Sequence, residues 1–514
     1  MKNHLKAAAL AAPAMLAASA PAMAQTLDEK INGIFASSTG WFVNFIFASF
    51  PGTNFPWIVL WLVVGATVFT LYFGFIQFRA FPHSISLVKG DYSDPNDAGE
   101  VSHFQALATA LSGTIGLGNI AGVAVAVGIG GPGATFWMIL AGLMGMASKF
   151  TECTLAVKYR NEYADGAVSG GPMYYMTKGF AERGLRGGGI MAILFSVFCI
   201  LATLGAGNMF QANQAHAQIA NIAGDFPGWI TGIIFAGIVF AVIIGGLQSI
   251  AKVTEKIVPF MGIMYVTTAL IIILMNYDKI GWAFGQIFAG AFTGLGVAGG
   301  IVGALIQGFK RAAFSNEAGV GSAAIAHSAV RTKEPITEGF VSLLEPFIDT
   351  VVICTMTALV IVISGQLVSD PATGMYLLDD GAATIQTIGD NKGVALTSAA
   401  FSSTFGWFKY VLAIAVILFA FSTMISWSYY GLKAWTYLFG EGKNKEIAFK
   451  VIFCIFVVIG ASANLGPVLD FSDAALFAMA VVNIIALYLL MPLVRRELNS
   501  YMSRLKSGEI TKFH

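Results

Sequence analysis

The chain has 514 residues, of which 56% are apolar and only 11% charged. A soluble domain carries roughly 25% charge, so this composition, with a mean hydropathy of +0.74, is that of a polytopic membrane protein. The 29 basic and 28 acidic residues nearly cancel and give no reason to invoke nucleic acid or a polybasic surface.

Residues 1–24 read as a signal peptide. Lys2 and Lys6 give a positive start, a short Ala/Leu-rich core follows, and Ala22-Met23-Ala24 offers a cleavage site before Gln25. An uncleaved first anchor is the alternative, but the core is shorter than the ~20 residues a span requires. On either reading the segment from Gln25 starts outside.

Apolar windows of about 20 residues then fall at 57–78, 103–130, 133–157, 190–220, 229–249, 256–276, 284–308, 340–364, 407–437, 447–463 and 472–494. These predict an all-α protein with about 11 transmembrane helices. Threaded from an outside start, most basic residues fall on the inner side, among them Arg79, Lys158, Arg160, Lys310, Arg311, Arg331, Arg495 and Arg496. Only Lys30, Lys279, Lys392 and Lys409 fall outside the signal segment on the outer side. The positive-inside bias therefore places the carboxyl tail in the cytoplasm. The long outer loop at 365–406 carries Asp370, Asp379, Asp380 and Asp390. Cys153, Cys199, Cys354 and Cys454 stand in or beside apolar runs at unrelated spacings and read as small buried residues, not a disulfide framework or metal site.

After the signal segment, residues 25–100 hold an outer segment, one extra helix and a linker. The remaining ten spans divide into 101–277 and 278–496, with a tail at 497–514. Five spans per half force the halves to run oppositely, as inverted repeats. Each half begins with a glycine-interrupted span: LSGTIGLGNIAG at 111–122, and GLGVAGGIVGA at 294–304. Irregular backbone survives at membrane depth only where it is buried in protein or lines a cavity. Freed N–H groups at half-helix ends suit a carboxylate and freed carbonyls suit a sodium ion. Close helix packing through Gly118 and Gly122 is the competing explanation.

GTIGLGNIAGVAVAVGIGGPGATFWM at 113–138 resembles the signature of the alanine or glycine:cation symporter family, commonly called sodium:alanine symporters. QGFKRAAFSNEAGVGSAAIAHSAV at 307–330 and FIDTVVICTMTALVI at 347–361 are similar to two more of its blocks. The resemblance runs from about residue 55 to residue 495. It implies a leucine-transporter-type fold, two five-helix inverted repeats preceded by one extra helix. It also implies import of a small neutral amino acid, alanine or glycine, with sodium as coupling ion, across a bacterial-type inner membrane.

On this resemblance the unwound TIGLGN presents backbone to the amino acid, with Gly116 and Gly118 allowing close approach. Thr114 and Asn119 are the side chains placed to contact substrate or sodium, and Ser112 and Ile115 offer carbonyls, oxygen ligands of the kind a hard cation wants. Thr114 and Asn119 merely capping two half-helices is the alternative. In FSTMISWSYYG at 421–431, Ser422, Thr423 and Ser426 lie within two turns. The family pattern makes Thr423 and Trp427 pocket-lining and gives Ser422 and Thr423 to sodium, whereas hydroxyls in membrane helices often bond back to their own carbonyls. The pattern also favours Gln211 as a substrate contact. In the second interrupted span Gly299, Gly300, Ile301 and Gly303 are expected to meet the substrate, Ile301 as a small apolar wall.

Asp349 is an ionisable group at membrane depth and so a coupling candidate; a structural ion pair with Lys310 or Arg311 is equally compatible. Glu317 is expected at the cytoplasmic gate, with helix capping as the alternative. The chain has no GxxxxGK[ST], HExxH or GxSxG, so neither ATP hydrolysis nor another catalytic activity is expected. Coupling must then draw on an existing gradient, of sodium or, through Asp349, of protons. A channel would instead show polar rings along a continuous pore.

Overall fold

The computed structural model describes residues 29–95, 97–163, 167–293, 300–365, 367–369, 376–378 and 393–512. The signal segment, the stretch 294–299 and the aspartates of the outer loop lie outside the described residues.

The first glycine-marked span bends where the sequence breaks its helix pattern. Helix α1 (Trp57–Tyr72) and the amphipathic α2 (Phe81–Val88) lead to α3 (His103–Thr114), which begins with a capping box. The Ser102 side chain accepts from the Gln105 N–H at 3.2 Å and Gln105 Oε1 accepts from the Ser102 N–H at 3.1 Å, satisfying two orphan donors. Ile115 then leaves helical geometry (ψ 82°). A wide π-type turn at Gly118–Gly122 leads into α4 (Val123–Gly130), bent by 52° from α3.

Next come α5 (Gly133–Lys158), α6 (Pro172–Glu182), α7 (Gly188–Leu204) and, through a second wide turn at Gly205–Met209, α8 (Phe210–Ala223). Helices α9 (Gly228–Ile243) and α10 (Gly246–Met275) follow. Ile233, Ile234 and Ile238 of α9 and Phe260, Ile263 and Leu274 of α10 point outward, a surface suited to hydrocarbon. After α11 (Tyr277–Thr293), α12 (Gly300–Asn316) runs unbroken from Gly300. The chain breaks instead at residues 317–321, ahead of α13 (Ser322–His327). Glu317, Gly319 and Gly321 all take positive φ there (55°, 80° and 91°), a conformation that ends a right-handed helix. The interruption expected at 294–304 therefore lies largely outside the described residues, and the buried break falls one block later.

Helix α14 (Pro335–Ser342), a wide turn at Phe347–Cys354 and α15 (Thr355–Ile363) follow. The rest of the bundle is α16 (Gly393–Ser402), α17 (Phe408–Phe439), α18 (Lys443–Ser462) and α19 (Leu465–Ser507). Two short antiparallel hairpins, Asn161–Glu162 with Val168–Ser169 and Leu367–Ser369 with Tyr376–Leu378, are the strand pairs among the described residues. Helix α1 leans on α19, where a Cβ at Gly65 would stand 3.2 Å from Ile484. Among the described residues, five helical stretches are long and apolar enough to cross a membrane, six counting the bent pair. Cys153, Cys199 and Cys354 are buried and free, as the sequence indicates, while Cys454 is free but only partly buried.

Lys310 and Arg311 require a correction. Neither reaches Asp349: both pair with Asp473 near the start of α19, Lys310 at 3.5 Å and Arg311 as a fully buried partner. Asp473 precedes Arg495 and Arg496 on the same helix by a length of roughly 30 Å at 1.5 Å per residue, about the thickness of the hydrocarbon core. Lys310 and Arg311 therefore do not lie at the same membrane face as Arg495 and Arg496, against the expectation that all four do. The apolar count ended at residue 308 because it could not see a counter-charge so distant in sequence.

Candidate functional site

The two breaks meet α8 and α17 in the middle of the bundle. At the first break the freed amides find side chains: the Gly116 N–H donates to Asn119 Oδ1 at 2.9 Å and the Leu117 N–H to Gln211 Oε1 at 3.0 Å. Glycine is required at 116 by proximity. An added Cβ would lie 2.4 Å from Thr423 Oγ1 and 3.1 Å from Gln211 Oε1. Thr423 Oγ1 donates to the Ser112 carbonyl at 3.0 Å, and the Ser112 hydroxyl is hydrogen-bonded to that of Ser426. Gly116, Gln211, Thr423 and the Ser112 carbonyl thus form one contact group, all buried.

Asn119 does more than cap a half-helix. Its Nδ2 donates to Asp349 Oδ1 at 2.6 Å and to the Asp349 carbonyl at 3.1 Å. The other carboxylate oxygen accepts from Ser315 Oγ at 2.8 Å and from Thr350 Oγ1 at 2.7 Å. Asp349 thereby joins the first broken span to α12 through neutral donors.

At the second break Glu317 is 3% exposed and lies inside the bundle. Its Oε1 accepts from Trp427 Nε1 at 3.0 Å and its Oε2 accepts from the Ser322 hydroxyl. Trp427 packs against the wide turn between α7 and α8, where a Cβ at Gly207 would come within 2.2 Å of Trp427 Cγ. Tyr430 packs edge-on to the same indole at 5.4 Å.

Not every residue marked in the sequence joins this group. The Thr114 hydroxyl turns back to Ala110 and Leu111 carbonyls at 3.3 and 3.4 Å. Ser422 bonds to the Phe419 carbonyl at 3.0 Å and approaches Met261 Sδ at 3.5 Å. Ile301 is 42% exposed and a Cβ at Gly300 would meet nothing; both lie at the end of α12 remote from the break. In their place stands Phe314, whose ring would be 3.3 Å from a Cβ at Gly118 and packs edge-on to Phe210 at 5.0 Å. Its signal in the sequence was the run FSNE, an aromatic followed by three polar residues at a helix end.

A model described as the Sodium:alanine symporter family matches residues 41–514. The chain belongs to that family. The Sodium/alanine symporter AgcS of Methanococcus maripaludis is 40% identical over 452 residues, which cover 87% of this chain and 95% of that protein. The Amino-acid carrier protein AlsT of Bacillus subtilis is 33% identical over 466 residues, 89% of this chain and 92% of that one. The Probable sodium/glutamine symporter GlnT of the same organism is 32% identical over 462 residues, 89% and 90% of the two chains. Among solved structures, MhsT in complex with L-phenylalanine superposes with a TM-score of 0.54 at 13% identity, covering 75% of this chain and 89% of that one. That likeness gives the chain a leucine-transporter-type fold. This member of the sodium:alanine symporter family is a multi-pass membrane protein and a cation-coupled amino-acid symporter, not an enzyme.

Proposed function

We propose that the protein imports a small neutral amino acid, alanine and possibly glycine, with sodium, by alternating access between two inverted five-helix repeats that follow one extra amino-terminal helix. On this reading about 11 helices cross the inner membrane, the mature amino terminus lies outside and the carboxyl tail is cytoplasmic. The observation that carries the reading is the approach of Thr423 Oγ1 to the Ser112 carbonyl across Gly116. It brings a hydroxyl and a backbone carbonyl to one point at membrane depth, oxygen donors of the kind a sodium ion takes.

Sodium would take the Ser112 and Ile115 carbonyls and Thr423 Oγ1, with Thr114, Asn119 and Ser422 behind them. The amino acid would lie between the breaks, its carboxylate toward the unwound backbone at Gly116 and Gly118 and its side chain between Trp427 and Phe314. Gln211 would orient the first break. Such a pocket rejects bulk by overlap but separates alanine from glycine by only about 1–3 kcal/mol. Asp349, which links the two broken spans, supports proton coupling as a second reading.

Uptake of labelled alanine into proteoliposomes under an inward sodium gradient, against an equal potassium gradient at clamped pH and voltage, tests this. Accumulation with sodium alone supports the symporter. Accumulation only with an inward proton gradient replaces sodium by Asp349 chemistry. Failure of alanine with both ions, where another solute accumulates, overturns the pocket assignment.

A further inference from the structure

Where α1 ends, the chain turns sharply and sets a cation against the far end of α19. Gly74 and Phe75 both take left-handed φ (61° and 57°), which stops the helix, and the single helical turn Ile76–Arg79 follows. On α19, Arg495, Asn499, Met502, Ser503 and Lys506 recur at helical spacing and so share one face. Together with Arg79 they line a surface cavity of about 460 Å³.

No carboxylate lines this cavity. Other cations nearby are neutralised: Arg496 by Glu182 at 3.3 Å, Arg504 by Glu334 at 2.5 Å and Lys158 by Glu497 at 2.7 Å. Among the described residues Arg79, Arg495 and Lys506 make no ion pair. Arg79 Nη1 reaches the Gly74 carbonyl at 3.5 Å, and the Arg495 guanidinium lies over the rings of Tyr72 and Phe73, 4.8 and 5.7 Å from their centroids. Stacking holds Arg495 by its face and leaves the N–H fork at its edge for an anion. The surface cavity of equal volume beside His103 includes Asp94 among its cations, so the missing acid is particular to this one. Like charges brought together from two elements repel, and an anion between them removes the repulsion.

Apolar surface adjoins these cations. Leu71, Phe75 and Phe78, just before Arg79 in the chain, are all exposed, and the rings of Phe75 and Phe78 stack at 6.5 Å. Asn499, Ser503 and Lys506 are exposed as well and supply polar donors. A free anion would use only the second set of groups. An amphiphile with an anionic head uses both, and basic pockets between membrane helices suit such headgroups.

We propose that this cavity binds the phosphodiester headgroup of an anionic phospholipid from the surrounding membrane, with its acyl chains along Leu71, Phe75 and Phe78. The phosphate takes the Arg495 fork, Arg79 and Lys506 as donors, the charge-assisted pairing that phosphate favours. It fastens the end of α1 to α19, so the helix that precedes the two repeats is held to the bundle in part by lipid.

The experiment follows the melting temperature of the full chain, purified in a neutral detergent, as cardiolipin, phosphatidylglycerol, phosphatidylcholine or inorganic phosphate is added. Cardiolipin and phosphatidylglycerol should raise it by about 3 °C or more at saturation, because a ligand of the folded state stabilises that state. No rise with either anionic lipid overturns the proposal, as does an equal rise with phosphatidylcholine. An equal rise with inorganic phosphate at about 10 mM makes this a simple anion site and overturns the lipid assignment. Replacing Arg79, Arg495 and Lys506 together by Gln should raise the cardiolipin concentration for half the effect about a hundredfold. Lys252, Lys256 and Lys443 are exposed lysines outside the cavity, and replacing those three by Gln should change it by less than about threefold. Equal losses in the two variants would mean that general charge attracts the lipid, and the site fails. If the triple cavity variant does not fold, Lys506→Gln alone decides, since its side chain is exposed near the end of α19. It should weaken cardiolipin about fivefold, and an unchanged titration overturns the site.

Discussion

Asn119 donates to the Asp349 carboxylate at 2.6 Å while Ser315 holds its other oxygen, so one buried acid fastens the first broken span to α12. Removing it orphans donors on both. Asp349→Ala should lower stability by about 1–3 kcal/mol, the cost of leaving buried polar groups unsatisfied, read as a fall in melting temperature in detergent. Asp349→Asn retains the shape and one acceptor and should lose less. An alanine variant as stable as wild type would show that the acid fastens nothing.

The close approach at Gly116 gives a sharper test. Gly116→Ala places a methyl 2.4 Å from Thr423 Oγ1, so the hydroxyl or the buried break must shift. Sodium-driven alanine uptake should drop by about a hundredfold, since even a shift of about 1 Å at a positioned site costs that much. The variant should still insert and purify, because the clash is confined to one irregular turn. Uptake within about twofold of wild type would mean that the two helices separate freely there.

Thr423→Val keeps volume and removes the hydroxyl that faces the Ser112 carbonyl. Loss of one oxygen ligand, valued like a hydrogen bond at about 1.4 kcal/mol, corresponds to a tenfold change in binding. The sodium concentration for half-maximal uptake should therefore rise about tenfold. The alanine KM at saturating sodium should move by less than about threefold. If the alanine KM rises and the sodium dependence does not, Thr423 belongs to the amino acid instead.

The first break was legible because Gly116, Gly118 and Asn119 interrupt an apolar run in which such residues have no lipid-facing purpose. The second was not. Lys310 and Arg311 looked like the polar end of a span, and the Asp473 that neutralises Arg311 lies 162 positions away in sequence. A local hydropathy window cannot register that compensation, so the apolar window ends at residue 308 and the break at residues 317–321 falls beyond it. Asp349 shows the same limit. Its depth was readable from its place in an apolar run, but its partner Asn119 is 230 positions away, so an ion pair stood level with a coupling role for an acid whose donors are neutral. Side-chain direction was the remaining blind spot: the family resemblance put Thr114 and Ser422 at the break, and both hydroxyls rotate onto their own helices.

Glu317 and Trp427 tie the second break to α17 by a single bond of 3.0 Å, and the acceptor need not be charged to keep it. Glu317→Gln retains a carbonyl oxygen for the indole N–H and should keep uptake within about threefold of wild type. Glu317→Ala leaves the buried indole N–H and the Ser322 hydroxyl without partners and should reduce uptake about tenfold or more while lowering the melting temperature. Trp427→Phe removes the donor from the other side, and combining it with Glu317→Ala should cost less than the sum of the two, the mark of residues in direct contact. Additive losses would show that the bond does not couple the helices, and a glutamine variant as impaired as the alanine one would show that the charge of Glu317, not its hydrogen bond, serves transport.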